Sequence, residues 1–187
     1  MSSILIVFAS HHGQTRKVAV RLGEHLRALG HDVDLANLAD GLIETPSPEG
    51  YDVVVLGSRI EISRCASSLG AYVIDHRAAL GEIPTVLFTV SMSAASTDKG
   101  PDPQGYLAKI CTDLGWTPSL RKAIAGGLKY REYGLVTRFI MKMISRRTGR
   151  TTDTSKNHEL TDWEGVRRFA ADIAELCPRS HLEVSRV

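Results

Sequence analysis

Apolar residues run unbroken from Ile4 to Ala9 within Ser3–Ala9, and most are β-branched or aliphatic. A run of this kind predicts a strand buried on both faces, as in a parallel sheet. The polar turn Ser10-His-His-Gly-Gln-Thr15 follows, and then Val18, Leu22, Leu26 and Leu29 recur at helical spacing, with Gly30 where a C-terminal cap belongs. His31–Ala36 alternates Val33 and Leu35 with polar residues, the pattern of a more exposed edge strand. Asp40–Gly50 reads as a loop that has room for a degraded helix. Tyr51–Gly57 and Pro84–Val90 are two further buried strands. Between them Ser67–Leu80 predicts one helix, with Leu69, Tyr72, Val73 and His76 on one side. Pro103–Leu114 predicts a helix and Arg121–Leu128 contains a short strand. Thr161-Asp-Trp-Glu164 has the form of a capping box opening a last helix, with Trp163, Val166, Phe169, Ala170 and Ile173 inward.

Strands alternating with helices imply a parallel sheet covered on both faces, an α/β architecture. Right-handed crossovers and five strands of this length favour the order 2-1-3-4-5. In that order the ligand crevice lies at the carboxyl ends of the first and third strands, where the winding reverses. The pattern predicts a single domain over 1–177, a C-terminal tail over 178–187, and an insertion at about 129–160 between the last strand and the last helix. Connections of that kind usually run about 2–6 residues.

Composition adds little until charge is placed along the chain. The 187 residues are 43% hydrophobic and carry a net +2, in keeping with a globular protein. Between Lys129 and Arg150, however, seven basic residues face one acid, a net +6 that leaves −4 for the rest. The segment calls for an anionic partner. Within it Leu135, Val136, Phe139, Ile140, Met143 and Ile144 cover about half a helical circumference at roughly 100° per residue, with Arg138, Lys142 and Arg146 beside them. Such a helix either packs on the domain or on a second subunit, or it meets an anionic membrane or a large amphipathic ligand. Cys65, Cys111 and Cys177 show no paired spacing, which fits a reducing compartment rather than a disulfide scaffold or zinc ribbon. The first apolar run is too short for a signal segment and has no basic flank. No stretch approaches the ~18–20 apolar residues of a membrane-spanning helix. The expected location is therefore cytoplasmic, with any membrane contact peripheral.

Three loops fall on one edge of the expected sheet. Ser10, His11, His12, Gly13, Gln14 and Thr15 follow the first strand and open a helix, whose N-terminal amides and dipole favour an anion. The loop lacks the Lys of a Walker A site and is not GxGxxG. Gly57–Ala66, including Ser58, Arg59 and Ile60, is read as a connector suited to flank a flat ring. Ser91, Met92 and Ser93 open a loop of small side chains that permits close backbone approach. A receiver domain would need acids for Mg²⁺ where this chain has Ala9-Ser10 and Leu56-Gly57. His11 and His12 have no companions at metal-ligand spacing, so no metal site is expected.

His12-Gly-Gln-Thr15, Ala125-Gly-Gly-Leu-Lys-Tyr130, Arg138-Phe-Ile-Met-Lys-Met143, Thr151-Thr-Asp-Thr154 and Thr161-Asp-Trp-Glu164 together resemble the flavodoxin-like, quinone-dependent protoporphyrinogen IX dehydrogenases of bacterial haem synthesis. The resemblance spans about residues 4–177. It implies a flavodoxin-like sheet with an inserted basic helix before the last helix. It also implies FMN as cofactor, held at the phosphate by Ser10–Thr15 and flanked at the isoalloxazine by Gly57–Ser63 and Ser91–Ala95. The implied reaction oxidises protoporphyrinogen IX to protoporphyrin IX, with electrons passed to a membrane quinone by redox chemistry that belongs to the flavin, so no catalytic side chain is named. Arg131, Arg138 and Lys142 are the expected contacts for substrate propionates or phospholipid. The implied location is the cytoplasmic face of the bacterial inner membrane. Nucleic acid is not an expected partner, and a homo-oligomer is left open. The chain departs from the family in having Ile62 and Cys65 where relatives carry aromatics, and His11-His12 where many flavodoxins carry hydroxyls. The alternatives are a flavodoxin-type electron carrier, usually strongly acidic, and an NAD(P)H:quinone reductase.

Overall fold

The computed structural model describes residues 1–10, 13–40, 45–61, 64–91, 102–126 and 160–178. Five strands form a parallel sheet: β1 (Ser3–Ala9), β2 (Asp32–Asn37), β3 (Val53–Glu61), β5 (Thr85–Ser91) and β6 (Leu120–Ala125). A two-residue strand, β4 (Arg64–Cys65), folds back antiparallel on the end of β3. The spatial order is β2-β1-β3-β5-β6. Counting parallel strands alone, this is the expected 2-1-3-4-5 doubly wound sheet.

Residues of β1 alternate between two separate cores because successive side chains point to opposite faces. Ile4, Ile6 and Phe8 pack with Val55 and Phe88 beneath α1 (Gln14–Ala28) and α5 (Trp163–Ala174). Leu5 and Val7 pack with Leu56 and Leu87 beneath α2 (Ser67–Asp75), α3 (Arg77–Glu82) and α4 (Pro103–Leu114). Each such fully buried side chain contributes about 1.5–3 kcal/mol of transfer free energy, so the central strands dominate the core. Helix α1 ends with Gly30 N–H donating to Arg27 O and His31 N–H to Leu26 O, the paired bonds that close a helix at a glycine.

Three local expectations change. The helix expected over Ser67–Leu80 is two helices, broken at His76 (φ −108°, ψ 19°), whose ring packs 4.5 Å from that of Tyr72. No Gly or Pro marks the break. Ser58, Arg59 and Ile60 are not in a loop: β3 continues through them to Glu61 because β4 pairs with its end, Ile60 opposite Cys65. The capping box is displaced by one residue. Asp162, not Thr161, caps α5, its carboxylate accepting from Gly165 N–H at 2.9 Å. A carboxylate caps and also complements the helix dipole. Glu164 therefore falls one position too early to reach back, and pairs with Arg167 at 2.9 Å instead.

Candidate functional site

The carboxyl ends of β1 and β3 lie side by side, with Ala9 in register with Ser58 and Ser58 with Thr89. Polar residues gather at this edge of the sheet: Ser10, Ser58, Thr89 and Ser91 are all buried. Ser10 is the first residue past β1. Its hydroxyl accepts from Gly13 N–H at 3.2 Å, folding the loop back on itself. Gly13 then takes φ 85°, a left-handed conformation that L side chains rarely adopt, and acts as N-cap of α1. The first intrahelical bond runs from Lys17 N–H to Gly13 O at 2.9 Å. Amides in the first turn of a helix have no intrahelical acceptor, and here they are presented at the sheet's switch-point edge. Thr15, 2% exposed, adds a hydroxyl within that turn.

The loop is held from two directions. Asn37, the last residue of β2, accepts from Ser10 N–H at 3.1 Å and donates to Ser10 O at 3.3 Å, and its amide also reaches Asp40 at 2.7 Å. Asp40 in turn pairs with Arg16 of α1 at 3.5 Å. On the other side the Gln14 carboxamide donates to Thr161 Oγ1 at 2.9 Å, and Thr161 donates to Ala125 O at 2.7 Å. Sequence reading missed both supports. Asn37 had a faint signal, since a buried amide ending an edge strand needs partners. Thr161 carried a misleading one, because it sits where a capping hydroxyl belongs.

Ser10, Gly13, Gln14 and Thr15 thus come together as one cradle at the head of α1, whose amides and hydroxyls are of the kind that can hold an anion. Ser58 lies within the same edge, but its hydroxyl is occupied: it donates to Arg59 O at 2.8 Å and accepts from Ala66 N–H at 2.9 Å. Arg59 and Ile60 are half-buried on β3, and Ser91 closes β5, with its carbonyl accepting from Gly126 N–H at 3.0 Å. His11, His12, Met92, Ser93, Arg131, Arg138 and Lys142 lie outside the described residues, as does the amphipathic basic segment. Cys65 borders a cavity of about 460 Å³ with Lys109, Ile110, Asp113 and Leu114. Burial, with a smaller push from the Asp113 carboxylate, raises its thiol above the ordinary value, the opposite of what a reactive cysteine needs. Among the described residues no cluster of His, Cys, Asp and Glu is arranged to hold a metal, and no helix is long and apolar enough to cross a membrane.

The cradle fits a phosphate monoester: it offers helix N-terminal amides, a hydroxyl and a glycine approach. The Arg16–Asp40 pair lies exposed at its flank.

Residues 5–155 match the family model of the flavodoxin domain. The chain is 36% identical over 180 residues to the protoporphyrinogen IX dehydrogenase (quinone) of Escherichia coli K12, covering 96% of this chain and 98% of that one. A protoporphyrinogen IX dehydrogenase (quinone) of Leishmania major is 34% identical over 127 residues, 67% of this chain and 55% of that one. Among solved structures, a flavodoxin from the domain Archaea superposes with a TM-score of 0.53 at 16% identity, covering 92% of this chain and 96% of that one. Flavodoxin 1 from Bacillus cereus gives 0.51 at 16% identity, covering 95% and 100%. These two share the fold. With its doubly wound sheet, its loop at the head of α1 and near full-length identity to the bacterial enzyme, the chain belongs to the flavodoxin-domain family, within the group of the quinone-type protoporphyrinogen IX dehydrogenases.

Proposed function

We propose that the protein oxidises protoporphyrinogen IX to protoporphyrin IX and delivers the electrons to a quinone, using FMN. The observation that carries this reading is the near full-length identity to a quinone-type protoporphyrinogen IX dehydrogenase, together with the cradle of Ser10, Gly13, Gln14 and Thr15 on a flavodoxin-type sheet. FMN when bound supplies the redox chemistry, and the protein supplies position and environment. The chain's part at the phosphate end is to offer the first-turn amides of α1 and the Thr15 hydroxyl, with Ser10 and Gly13 fixing the turn. Ser58, Arg59, Ile60 and Ser91 would flank the flavin ring, and Met92, Ser93, His11 and His12 would join them by sequence position.

The segment 129–150 belongs to the same reading. Basic residues near an anionic leaflet contribute about 1 kcal/mol each, decaying within a Debye length. Protoporphyrinogen IX pairs two propionates with an apolar macrocycle, so Arg131, Arg138 and Lys142 beside an aliphatic face suit either surface, and contact with the membrane is peripheral.

The decisive experiment follows protoporphyrin fluorescence with purified protein, FMN and a soluble quinone. Turnover without reduced nicotinamide is expected. Rapid flavin bleaching by NADPH with no porphyrinogen turnover would make the protein a quinone reductase instead. Deleting 131–148 and joining the ends with a short Gly/Ser linker is expected to leave FMN bound while abolishing porphyrinogen oxidation and anionic-liposome binding. Oxidation at the parental rate would reduce the segment to packing.

A further inference from the structure

We propose that Thr161 is a positioning residue that couples the phosphate cradle to the junction between β6 and α5. This rests on the reading that the FMN phosphate lies at Ser10–Thr15. Because Asp162 provides the cap of α5, the neighbouring Thr161 hydroxyl is released for another use. It sits 8% exposed and uses its donor on Ala125 O at 2.7 Å and an acceptor site on Gln14 Nε2 at 2.9 Å. One oxygen therefore joins the first residue of α1 to the last residue of β6, across 147 and 36 positions of sequence. Ala125 is in register with Ser91, and Gly126 N–H donates to Ser91 O at 3.0 Å, so the same strand end is also tied to the start of the loop after β5.

The chain leaves the sheet at Gly126, and Thr161 lies beside that point, bonded to Ala125. A phosphate that orders the first turn of α1 orders the Gln14 carboxamide with it. Through Thr161 that ordering reaches the ends of β6 and α5. Binding linkage is reciprocal: whatever fixes this junction tightens FMN by the same factor.

The test compares wild type with Thr161→Val, Thr161→Ser, Gln14→Met and the Thr161→Val/Gln14→Met pair. Valine keeps the shape and removes both bonds, serine keeps both, and Met keeps the length of Gln14 without its amide. FMN affinity of the apoprotein is read by flavin fluorescence quenching, with riboflavin, which lacks the phosphate, as the second probe. Thr161→Val is expected to weaken FMN about fivefold to tenfold, the scale of one lost hydrogen bond, and to leave riboflavin unchanged. Serine is expected to restore affinity, and the pair to lose no more than either single variant. Hydrogen exchange in peptides covering 120–126 and 160–166 is the second readout: FMN should slow it in wild type and Thr161→Ser, and not in Thr161→Val. Unchanged FMN affinity and unchanged exchange protection in Thr161→Val would overturn the coupling, as would fully additive losses in the pair. A wild type that binds riboflavin as tightly as FMN would instead overturn the phosphate assignment. If Thr161→Val does not fold, Thr161→Ala takes its place in the same comparison.

Discussion

At the scale of single residues, the cradle depends on a few side chains whose roles differ in kind. Thr15 is a buried hydroxyl inside the first turn of α1, and Thr15→Ala is expected to weaken FMN by about 1.5–3 kcal/mol, the range for a hydrogen bond to a charged group. Gly13 contributes conformation: at φ 85° any β-branched residue is strained, so Gly13→Val should abolish measurable FMN binding while the sheet's circular dichroism persists. Asn37 acts from the end of β2, where it satisfies both backbone groups of Ser10. Asn37→Ala leaves those buried groups unpaired and should cost about 1–3 kcal/mol in urea unfolding as well as weakening FMN. A variant that loses stability with full FMN affinity would confine Asn37 to the scaffold. The motif residues Ser10, Gly13 and Thr15 were legible because hydroxyl and glycine chemistry is local. Asn37 and Thr161 were not, since their partners lie 27, 36 and 147 residues away and no spacing rule connects them.

At the scale of elements, the strands were the most readable feature, and for a physical reason. Ile4–Phe8, Val53–Leu56 and Val86–Phe88 are buried from both sides, so their apolar runs carry no polar interruption to blur them. Ends were less readable. The extension of β3 to Glu61 is set by pairing with β4, a tertiary contact, and the break at His76 has no sequence marker. One strand position looks anomalous until its neighbour is considered. Gly57 lies in register with Phe88, whose ring covers it so closely that an added Cβ would stand 2.2 Å from the ring's Cζ. Gly57→Ala should therefore destabilise the fold by about 1–3 kcal/mol through overpacking. Pairing it with Phe88→Leu should recover part of that loss in thermal melts, since the smaller side chain vacates the space. A Gly57→Ala variant with an unchanged melting temperature would mean that the ring moves aside freely.

At the scale of the whole molecule, titration behaviour follows from how much is buried. Burial raises the thiols of Cys65, Cys111 and Cys177, and Tyr72 is raised for the same reason. The unfolded chain releases thiol protons first, near pH 8.5. Stability is therefore full below that pH and is lost as pH climbs through the higher folded values. His31 works on the acid side. Burial first, and then the nearby N-terminal ammonium, lower its pKa, with Asp52 opposing. Its contribution is present above the ordinary histidine value and is lost as pH falls through the folded one. Urea midpoints from pH 5 to 10 should trace a plateau near neutrality that falls on both sides, and Cys177→Ala should flatten the alkaline limb.

The packing of α5 against α1 bears on how the molecule is made. Val166, Phe169 and Ile173 close the core over Ile4, Ile6 and Phe88, and the loop after β1 is clamped through Thr161. A ribosome adding about 5–20 residues per second therefore makes Gln14 147 residues before Thr161, the hydroxyl that supports it. Until Thr161–Ala174 emerge, α1 covers its face of the sheet without the α5 side chains that complete that core. The loop after β1 is made before its support and completed only with it, so capture of FMN is expected to await α5.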